Sequence, residues 1–195
     1  TIPDSVTKIK SNPFSYCKNL AKFEGKFAAN NGRCLINDNV IISYANASGT
    51  EYTIPDSVTS IGNSAFFGCA RHSGVKGTGV GPRVGGGGCR SCYMLKSITI
   101  PNSITTIEDY TFGACFSLTS VTIPDSVTTI GDYAFYNCTS LTSVTIPDSV
   151  TEIVNNPFWG CTNLKKFEGK FSADNGRCLI VDGVLKSFAI GCGVT

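Results

Sequence analysis

Apolar and polar positions along this chain follow a unit that repeats every 23 residues. The unit is clearest where 118–138 (LTSVTIPDSVTTIGDYAFYNC) is compared with 141–161 (LTSVTIPDSVTEIVNNPFWGC), and 95–115 (LKSITIPNSITTIEDYTFGAC) follows the same template. The prolines and the final cysteines of successive units are therefore in register. A fixed period of this length is typical of proteins in which one coil of chain stacks on the next. The sequence predicts a repeat protein.

The spacing of apolar residues changes within one unit, which indicates that each repeat forms one coil of the chain. Val121 and Ile123 alternate with hydroxyl residues, as expected for a half-buried strand, and a Pro-Asp-Ser turn follows. Residues 127–130 form a second extended piece, and 132–137 suffice for a single helical or 3₁₀ turn that carries Phe135 inward. One coil buries too little apolar surface to fold alone, so its stability depends on its neighbours.

Extending the template along the chain gives a row of equivalent positions, one for each coil. They are Ile2, Gly25, Ile54, Gly77, Ile100, Ile123, Ile146 and Gly169. All are 23 residues apart except Gly25 and Ile54, which are 29 apart. We predict one solenoid domain over 1–195, with a parallel β-sheet on one face and short extended or 3₁₀ pieces on the other side. Because both ends stop inside the pattern, we expect a fragment of a longer protein.

Two β-hairpins are predicted to protrude from the stack, near 34–45 and 178–189. Both are extended pieces around a short polar centre, and the second has Asp182-Gly183 there, a strong signal for a type I′ turn. Their flanks match as well, because KFEGKFAANNGRCLI at 22–36 returns as KFEGKFSADNGRCLI 144 residues later. The pattern indicates a larger unit in which hairpin coils alternate with runs of plain coils.

These units closely resemble the BspA-type leucine-rich repeats of cell-surface and secreted proteins. The strand, the IP turn, the IG step, the AF pair and the final Cys recur at fixed offsets over nearly the whole chain. The resemblance implies a right-handed leucine-rich-repeat solenoid, exposed on the cell surface or secreted. It also implies adhesion to a protein ligand, such as host matrix, a receptor or another cell-surface protein. It implies no catalytic residue and no cofactor, because the shared positions are core and turn positions.

The outward residues of the predicted strands form the first candidate binding surface, on the concave face. They are Ser97, Thr99, Ser120, Thr122, Ser143, Thr145, Lys166 and Glu168, with Lys22 and Glu24 in the first matching block. Small hydroxyls also suit solubility and β-propensity, so this face is either a plain polar surface or a binding patch. Interface hot spots favour Trp and Tyr, which makes Trp159, Tyr133, Tyr136 and Tyr110 better anchors, although surface Tyr is common in solenoids.

Residues 70–92 (ARHSGVKGTGVGPRVGGGGCRSC) keep the length of a coil but lose its apolar pattern. His72, Gly77, Gly81 and Cys89 stand where the template has Leu, Ile, Val and Phe. Four missing core side chains and eight glycines would weaken this coil by an amount on the order of 10 kcal/mol. We expect this irregular Gly-rich coil to be the least stable coil of the solenoid, or not to be part of the stack at all.

Three functional interpretations of this coil stay open. It is a Gly-rich loop or degraded repeat without function, or a basic contact for an anionic partner through its Lys and Arg. The third is a tetrahedral zinc site formed by Cys69, His72, Cys89 and Cys92, whose spacing falls in the structural-zinc range. Against zinc, Cys69 and Cys92 already belong to the cysteine column. A corrected frame shift in the coding sequence would also keep the length while changing the content.

Composition excludes several other classes. A net charge of +2 with 15% charged residues is too weak a field for nucleic-acid binding, and no apolar run is long enough to cross a bilayer. The first residues, Thr1-Ile2-Pro3, have neither the basic nor the apolar region of a signal peptide, so we expect any export signal to have been removed or to lie outside this segment. The chain has a single His and no catalytic triad, and Cys89-Arg90-Ser91-Cys92 lacks the βαβ setting of a redox motif. We therefore expect that the protein is not an enzyme. The alternative is a metal- or thiol-dependent protein that uses residues 69–92.

Overall fold

The structure is a computed structural model that describes residues 1–9, 13–14, 17, 20–45, 49–67 and 95–189. These residues form fifteen β-strands, and no helix occurs among them. The strands are β1 (Ala28–Ala29), β2 (Cys34–Asn37), β3 (Val40–Tyr44), β4 (Glu51–Thr53), β5 (Ser60–Ile61), β6 (Ser97–Thr99), β7 (Thr106–Ile107), β8 (Ser120–Thr122), β9 (Thr129–Ile130), β10 (Ser143–Ile146), β11 (Glu152–Ile153), β12 (Lys166–Gly169), β13 (Ser172–Ala173), β14 (Cys178–Val181) and β15 (Val184–Phe188).

The first side of the solenoid is made of the strands β4, β6, β8, β10 and β12. Their pairings are parallel, in the order β4-β6-β8 and β10-β12, and β8 and β10 are in contact. Val121 is buried while its neighbours Ser120 and Thr122 are exposed, so the strand has one apolar and one polar face. This alternation confirms the predicted half-buried strand and the predicted parallel sheet.

The second side carries the short parallel strands β7, β9 and β11, where Ile107, Ile130 and Ile153 stack in register. They confirm the predicted second extended piece. On the third side a series of hydrogen-bonded turns replaces the predicted helical or 3₁₀ turn. Tyr133 and Asn137 have positive φ, which a right-handed helix does not allow.

Backbone groups on the third side bond to the next coil. Phe135 N–H donates to Pro157 O (2.8 Å), and Asn137 N–H donates to Trp159 O (2.8 Å). Because these donors point along the stack, they are not available for bonds within a helical turn. Each coil is thus joined to its neighbour on all three sides.

The core is a continuous column of side chains contributed by successive coils. Phe112, Phe135 and Phe158 are buried and stack with ring centroids 5.2 to 5.3 Å apart. Phe66 and Phe167 extend the column at its two ends. Shared burial of these rings is the stabilisation that a single coil lacks.

The coil that contains β4 lies directly against the coil that contains β6, with no strand between them. Tyr52 pairs with Ile98 in parallel register, and Phe66 N–H donates to Thr111 O (3.0 Å). The predicted ladder position at Gly77 belongs to residues 70–92, which lie outside the described residues.

The hairpin at 34–45, which was predicted to protrude, lies against the next coil. Strand β3 pairs in parallel with β5, and both faces of the hairpin are covered: Ile41 packs in the main core and Ile42 in a second cluster with Phe23. Apolar residues on both faces explain this position inside the stack. The hairpin at 178–189 carries exposed apolar side chains on its outer face. Its predicted type I′ turn is confirmed by positive φ at Asp182 and Gly183.

Removal of residues 70–92 is expected to preserve the solenoid. The deletion joins Cys69 to Tyr93 and leaves two residues before Leu95, which is the spacing between Cys138 and Leu141 in a regular coil. A shorter connection also lowers the entropy cost of closing the loop, by roughly 1–2 kcal/mol. Urea unfolding followed by circular dichroism should give equal or higher stability, whereas loss of the cooperative transition would contradict the direct pairing of β4 with β6.

Candidate binding surfaces

The predicted strand-face residues lie on one surface, as expected from the alternation of the strands. Ser97 is opposite Ser120 and Thr99 is opposite Thr122. In the β10-β12 ladder, Ser143 is opposite Lys166 and Thr145 is opposite Glu168. All of these side chains are exposed except that of Ser97, which is half-buried. These residues therefore form a polar surface, with hydroxyls at its centre and Lys166 and Glu168 at one end.

The strand face also includes Glu51 and Thr53, which the sequence analysis did not select. They pair in register with Ser97 and Thr99, so the face continues across β4. Glu51 lies 46 residues, or two repeats, before Ser97, and this spacing could have identified both residues from the sequence. Glu51 places a carboxylate at the opposite end of the hydroxyl row from Lys166.

An ion pair at one end of the strand face holds Glu168. Lys166 Nζ is 2.9 Å from Glu168 Oε1, and the Thr145 hydroxyl donates to Oε2 at 3.2 Å. These contacts lower the pKa of Glu168, the bond from Lys166 having the largest effect. The pair borders a shallow depression of about 570 Å³ lined by β12 and the turn at 174–176. The first block repeats the arrangement, with Thr1 donating to Glu24 at 2.8 Å and lowering its pKa.

Lys166→Ala is expected to raise the pKa of Glu168 toward its ordinary value. The change removes the hydrogen bond and the positive charge that favour the carboxylate. Carboxyl chemical shifts followed through a pH titration would report the midpoint directly. Because the folded-state pKa is the lowered one, any stabilisation from the pair is present above the unfolded-state pKa and is lost as the pH falls through the folded-state value. Thr122→Ala is the control, and an unmoved Glu168 midpoint in Lys166→Ala would contradict the assignment.

An aromatic strip lies on the turn side of the coils, formed by Tyr110, Tyr133, Tyr136 and Trp159. Tyr136 and Trp159 are stacked at 5.4 Å with an angle of 3°, and Tyr110 and Tyr133 at 5.2 Å with an angle of 21°. Tyr133 also meets Tyr136 edge to face at 5.8 Å. Tyr110 and Tyr133 occupy the same position in successive repeats, and Tyr136 and Trp159 occupy the position three residues later. The strip is therefore continuous over three coils.

The strip is open to solvent. Trp159 is 47% exposed, and the three tyrosines are half-buried. Partial burial raises the pKa of Tyr110 and of Tyr136, so their hydroxyls remain protonated donors. Mutual stacking limits the rotamers of the rings, which lowers the entropy lost when a partner covers them. Trp and Tyr in such a setting are the residue types that dominate binding energy at protein interfaces.

The thiols of Cys115, Cys138 and Cys161 form a buried column next to the phenylalanines, as predicted for reduced structural cysteines. Each thiol also donates to a backbone carbonyl of the preceding coil, which the sequence analysis did not foresee. Cys138 Sγ lies 3.2 Å from Phe112 O, and Cys161 Sγ lies 3.1 Å from Phe135 O. Burial is the main reason that the pKa of Cys138 is raised well above its ordinary value. The thiol of Cys138 is therefore a poor nucleophile in the folded chain.

Alkylation at neutral pH should therefore distinguish the column from exposed thiols. Cys17 is exposed and should be alkylated in the native chain, whereas Cys115, Cys138 and Cys161 should react only after unfolding in urea. Mass spectrometry of tryptic peptides after iodoacetamide treatment gives the reactivity of each cysteine separately. Labelling of Cys138 at the rate of Cys17 in the native chain would contradict its structural role.

The candidate zinc ligands Cys69, His72, Cys89 and Cys92 lie outside the described residues. Within the ranges that the structure describes, no group of three or more His, Cys, Asp or Glu side chains is placed to hold a metal ion. The same residues contain no helix that is long and apolar enough to cross a membrane.

The chain belongs to the BspA-type leucine-rich-repeat family. Six copies of the BspA-type leucine-rich-repeat region match residues 1–32, 36–78 and 83–175, which is most of the chain. This match confirms the resemblance read from the strand, turn and cysteine positions of the unit. A search of curated proteins finds no match.

Solved structures of bacterial leucine-rich-repeat proteins have similar folds. A leucine-rich cell-surface protein from Faecalibacterium prausnitzii is 25% identical, with a TM-score of 0.53 over 80% of this chain and 42% of its own. The pneumococcal vaccine antigen PcpA is 19% identical, with a TM-score of 0.54 over 70% and 29% of the two chains. A protein from Bacteroides capillosus is 23% identical, with a TM-score of 0.51 over 70% and 92%. The chain thus spans less than half the length of the first two proteins.

Proposed function

We propose that this chain is a non-catalytic protein-binding scaffold of a cell-surface or secreted protein, and that it contributes to adhesion. The observation that carries the proposal is the aromatic strip, in which an exposed Trp159 is held by Tyr133 and Tyr136 on a rigid solenoid. Family membership and the cell-surface relative from Faecalibacterium prausnitzii support the proposed location and role. The partner is a protein ligand, such as host matrix, a receptor or another cell-surface protein.

The aromatic strip is the stronger of the two candidate surfaces. Truncating an exposed Trp at the centre of an interface typically costs 2 kcal/mol or more, roughly a thirtyfold loss of affinity. The hydroxyls of the strand face offer little apolar area, and their hydrogen bonds to a ligand replace bonds to water. The strand face of Ser97, Thr99, Ser120, Thr122, Ser143, Thr145, Lys166 and Glu168 remains the second candidate surface.

A non-catalytic role fits the chemistry of the described residues. The buried thiol of Cys138 has a raised pKa and is bonded to the carbonyl of Phe112, and Lys166 and Glu168 of the strand face are paired with each other. A solenoid with fixed coil-to-coil bonds supplies shape and a fixed spacing of contacts, which suits recognition of an extended partner surface. The alternative, a metal- or thiol-dependent protein, depends on Cys69, His72, Cys89 and Cys92.

The proposal is tested by measuring saturable binding to a panel of purified extracellular-matrix and bacterial surface proteins. Trp159→Ala should weaken the binding roughly thirtyfold, because it removes the exposed ring and the stacking that holds Tyr136. Thr122→Lys is the matched control on the strand face, and it should leave the affinity within about twofold. Circular dichroism of both variants checks that the fold is retained.

Other outcomes of the same experiment are informative. A large loss of affinity in Thr122→Lys, together with no loss in Trp159→Ala, would indicate that the ligand binds the strand face. Absence of saturable binding to every protein of the panel, together with about one bound zinc per chain, would favour the metal-dependent alternative.

A further inference from the structure

The parallel ladder on the second side of the solenoid ends at β11. Its sheet has the order β11-β9-β7, so β11 is paired along one edge only. On the first side the ladder continues, because β10 pairs with β12 of the coil that carries the second hairpin. The residues 23 positions after β11 are Asn175 and Gly176, whose positive φ forms a turn in place of a strand. Among the described residues, the far edge of β11 therefore stays open.

The open edge carries the backbone N–H and C=O of Ile153. Val154 N–H donates to Ile130 O (2.9 Å), back toward β9. Since successive peptide groups of a strand point in opposite directions, both groups of Ile153 point away from β9. In the earlier coils the equivalent carbonyls are bonded to the next coil, Ile107 O to Gly131 N–H (2.7 Å) and Ile130 O to Val154 N–H. An edge with such free groups is a template for one more strand.

A depression of about 320 Å³ lies along this edge, between β11 and the second hairpin. It is lined by Ile153 and Val154 on one side and by Val181 and Val184 on the other. Val184 is 55% exposed, although it faces the preceding coil. Volumes of this size are at the lower end for ligand sites, and they suit one or two side chains of an added strand.

The first hairpin has a depression at the same place. It measures about 490 Å³ and is lined by residues that include Ile9 and Val40, which correspond to Ile153 and Val184 with an offset of 144. The described chain continues far beyond the first hairpin, and this depression is still open. The opening is therefore a property of the junction between a plain coil and a hairpin coil.

Charged side chains border the second depression. Glu152 and Asp182 are exposed there, and Lys186 of β15 is half-buried. Two carboxylates and one ammonium group give the depression a net negative charge, whereas the whole chain has a net charge of +2. In the ladder Glu152 is opposite Thr129, so an added strand would place one of its residues on the other side of Glu152. Electrostatic complementarity favours a basic residue in that place.

We propose that the depression beside β11 binds an extended segment of a partner protein in which apolar and basic residues alternate. The segment adds to β11 as a parallel strand and bonds to the N–H and C=O of Ile153. One apolar side chain continues the column of Ile107, Ile130 and Ile153 and covers Val184, and a Lys or Arg of the segment faces Glu152. Main-chain bonds supply affinity, and the alternating side chains supply specificity.

The first test follows backbone amides of the full 195-residue chain by NMR. Without peptide, the Ile153 amide should exchange at least about tenfold faster than that of Ile130, because β9 lies between two strands. The probe is the synthetic peptide acetyl-SKVKIKS-amide, and acetyl-SEVEIES-amide is its charge-reversed control. The basic peptide should shift and protect the Ile153 amide, and it should bind roughly tenfold more tightly than the acidic one.

The second test uses variants at exposed positions, which leave the fold of the chain intact. Val184→Lys should weaken binding of the basic peptide roughly tenfold or more, because it replaces an apolar wall by a like charge. Leu185→Lys is the matched control, since it adds the same charge to the opposite face of the hairpin, where Leu185 is 58% exposed. It should leave the affinity within about twofold. Glu152→Lys should reverse the preference, so that the acidic peptide binds more tightly.

Three results would overturn the proposal. An Ile153 amide that exchanges as slowly as that of Ile130 would show that the edge of β11 is not open. Failure of both peptides to shift the Ile153 amide would show that no strand adds there. Equal affinities of Val184→Lys and Leu185→Lys for the basic peptide would show that the depression is not the site. Trp159→Ala should leave peptide binding unchanged, so this site and the aromatic strip of the proposed function are tested separately.

Discussion

Hydrogen bonds between successive coils are the constraint on which the rest of this structure depends. They run along the stack on all three sides: through the parallel strands, through the short strands such as β7 and β9, and through turn amides such as that of Phe135. Since a buried backbone group without a partner is costly, each coil fixes the register of the next. Identical repeat positions are thereby brought into columns, and the columns of Phe and Cys side chains fill the interior.

The surfaces follow from the same register. Columns that point outward from the strands give the hydroxyl face, and columns at the turns give the aromatic strip of Tyr110, Tyr133, Tyr136 and Trp159. The positive φ at Tyr133 that excludes a helical turn belongs to the same turn whose amides bond to the next coil. Recognition by such a molecule depends on the spacing of side chains along a rigid stack.

The sequence predicted the coils, the parallel sheet and the buried cysteines because these depend on a local pattern repeated at constant spacing. It left open whether 70–92 forms a coil of the stack, since a segment with the length of one repeat leaves every later spacing unchanged. The hairpin at 34–45 was expected to protrude because its extra residues were assigned to the surface. Apolar residues on both of its faces, Leu35 and Ile42 on one and Ile41 on the other, are the signal for its burial. Thiol-to-carbonyl bonds depend on side-chain direction, which spacing does not show.

The direct contact between the coils of β4 and β6 is the least expected element of this account and the one that a single measurement tests best. Nuclear Overhauser effects between backbone protons of strand β4 and those of its neighbour identify the neighbour without further interpretation. The account predicts effects between Tyr52 and Ile98 and between Thr53 and Thr99, the registered pairs of the ladder. Effects from Tyr52 to a segment within 70–92, with none to Ile98, would contradict it.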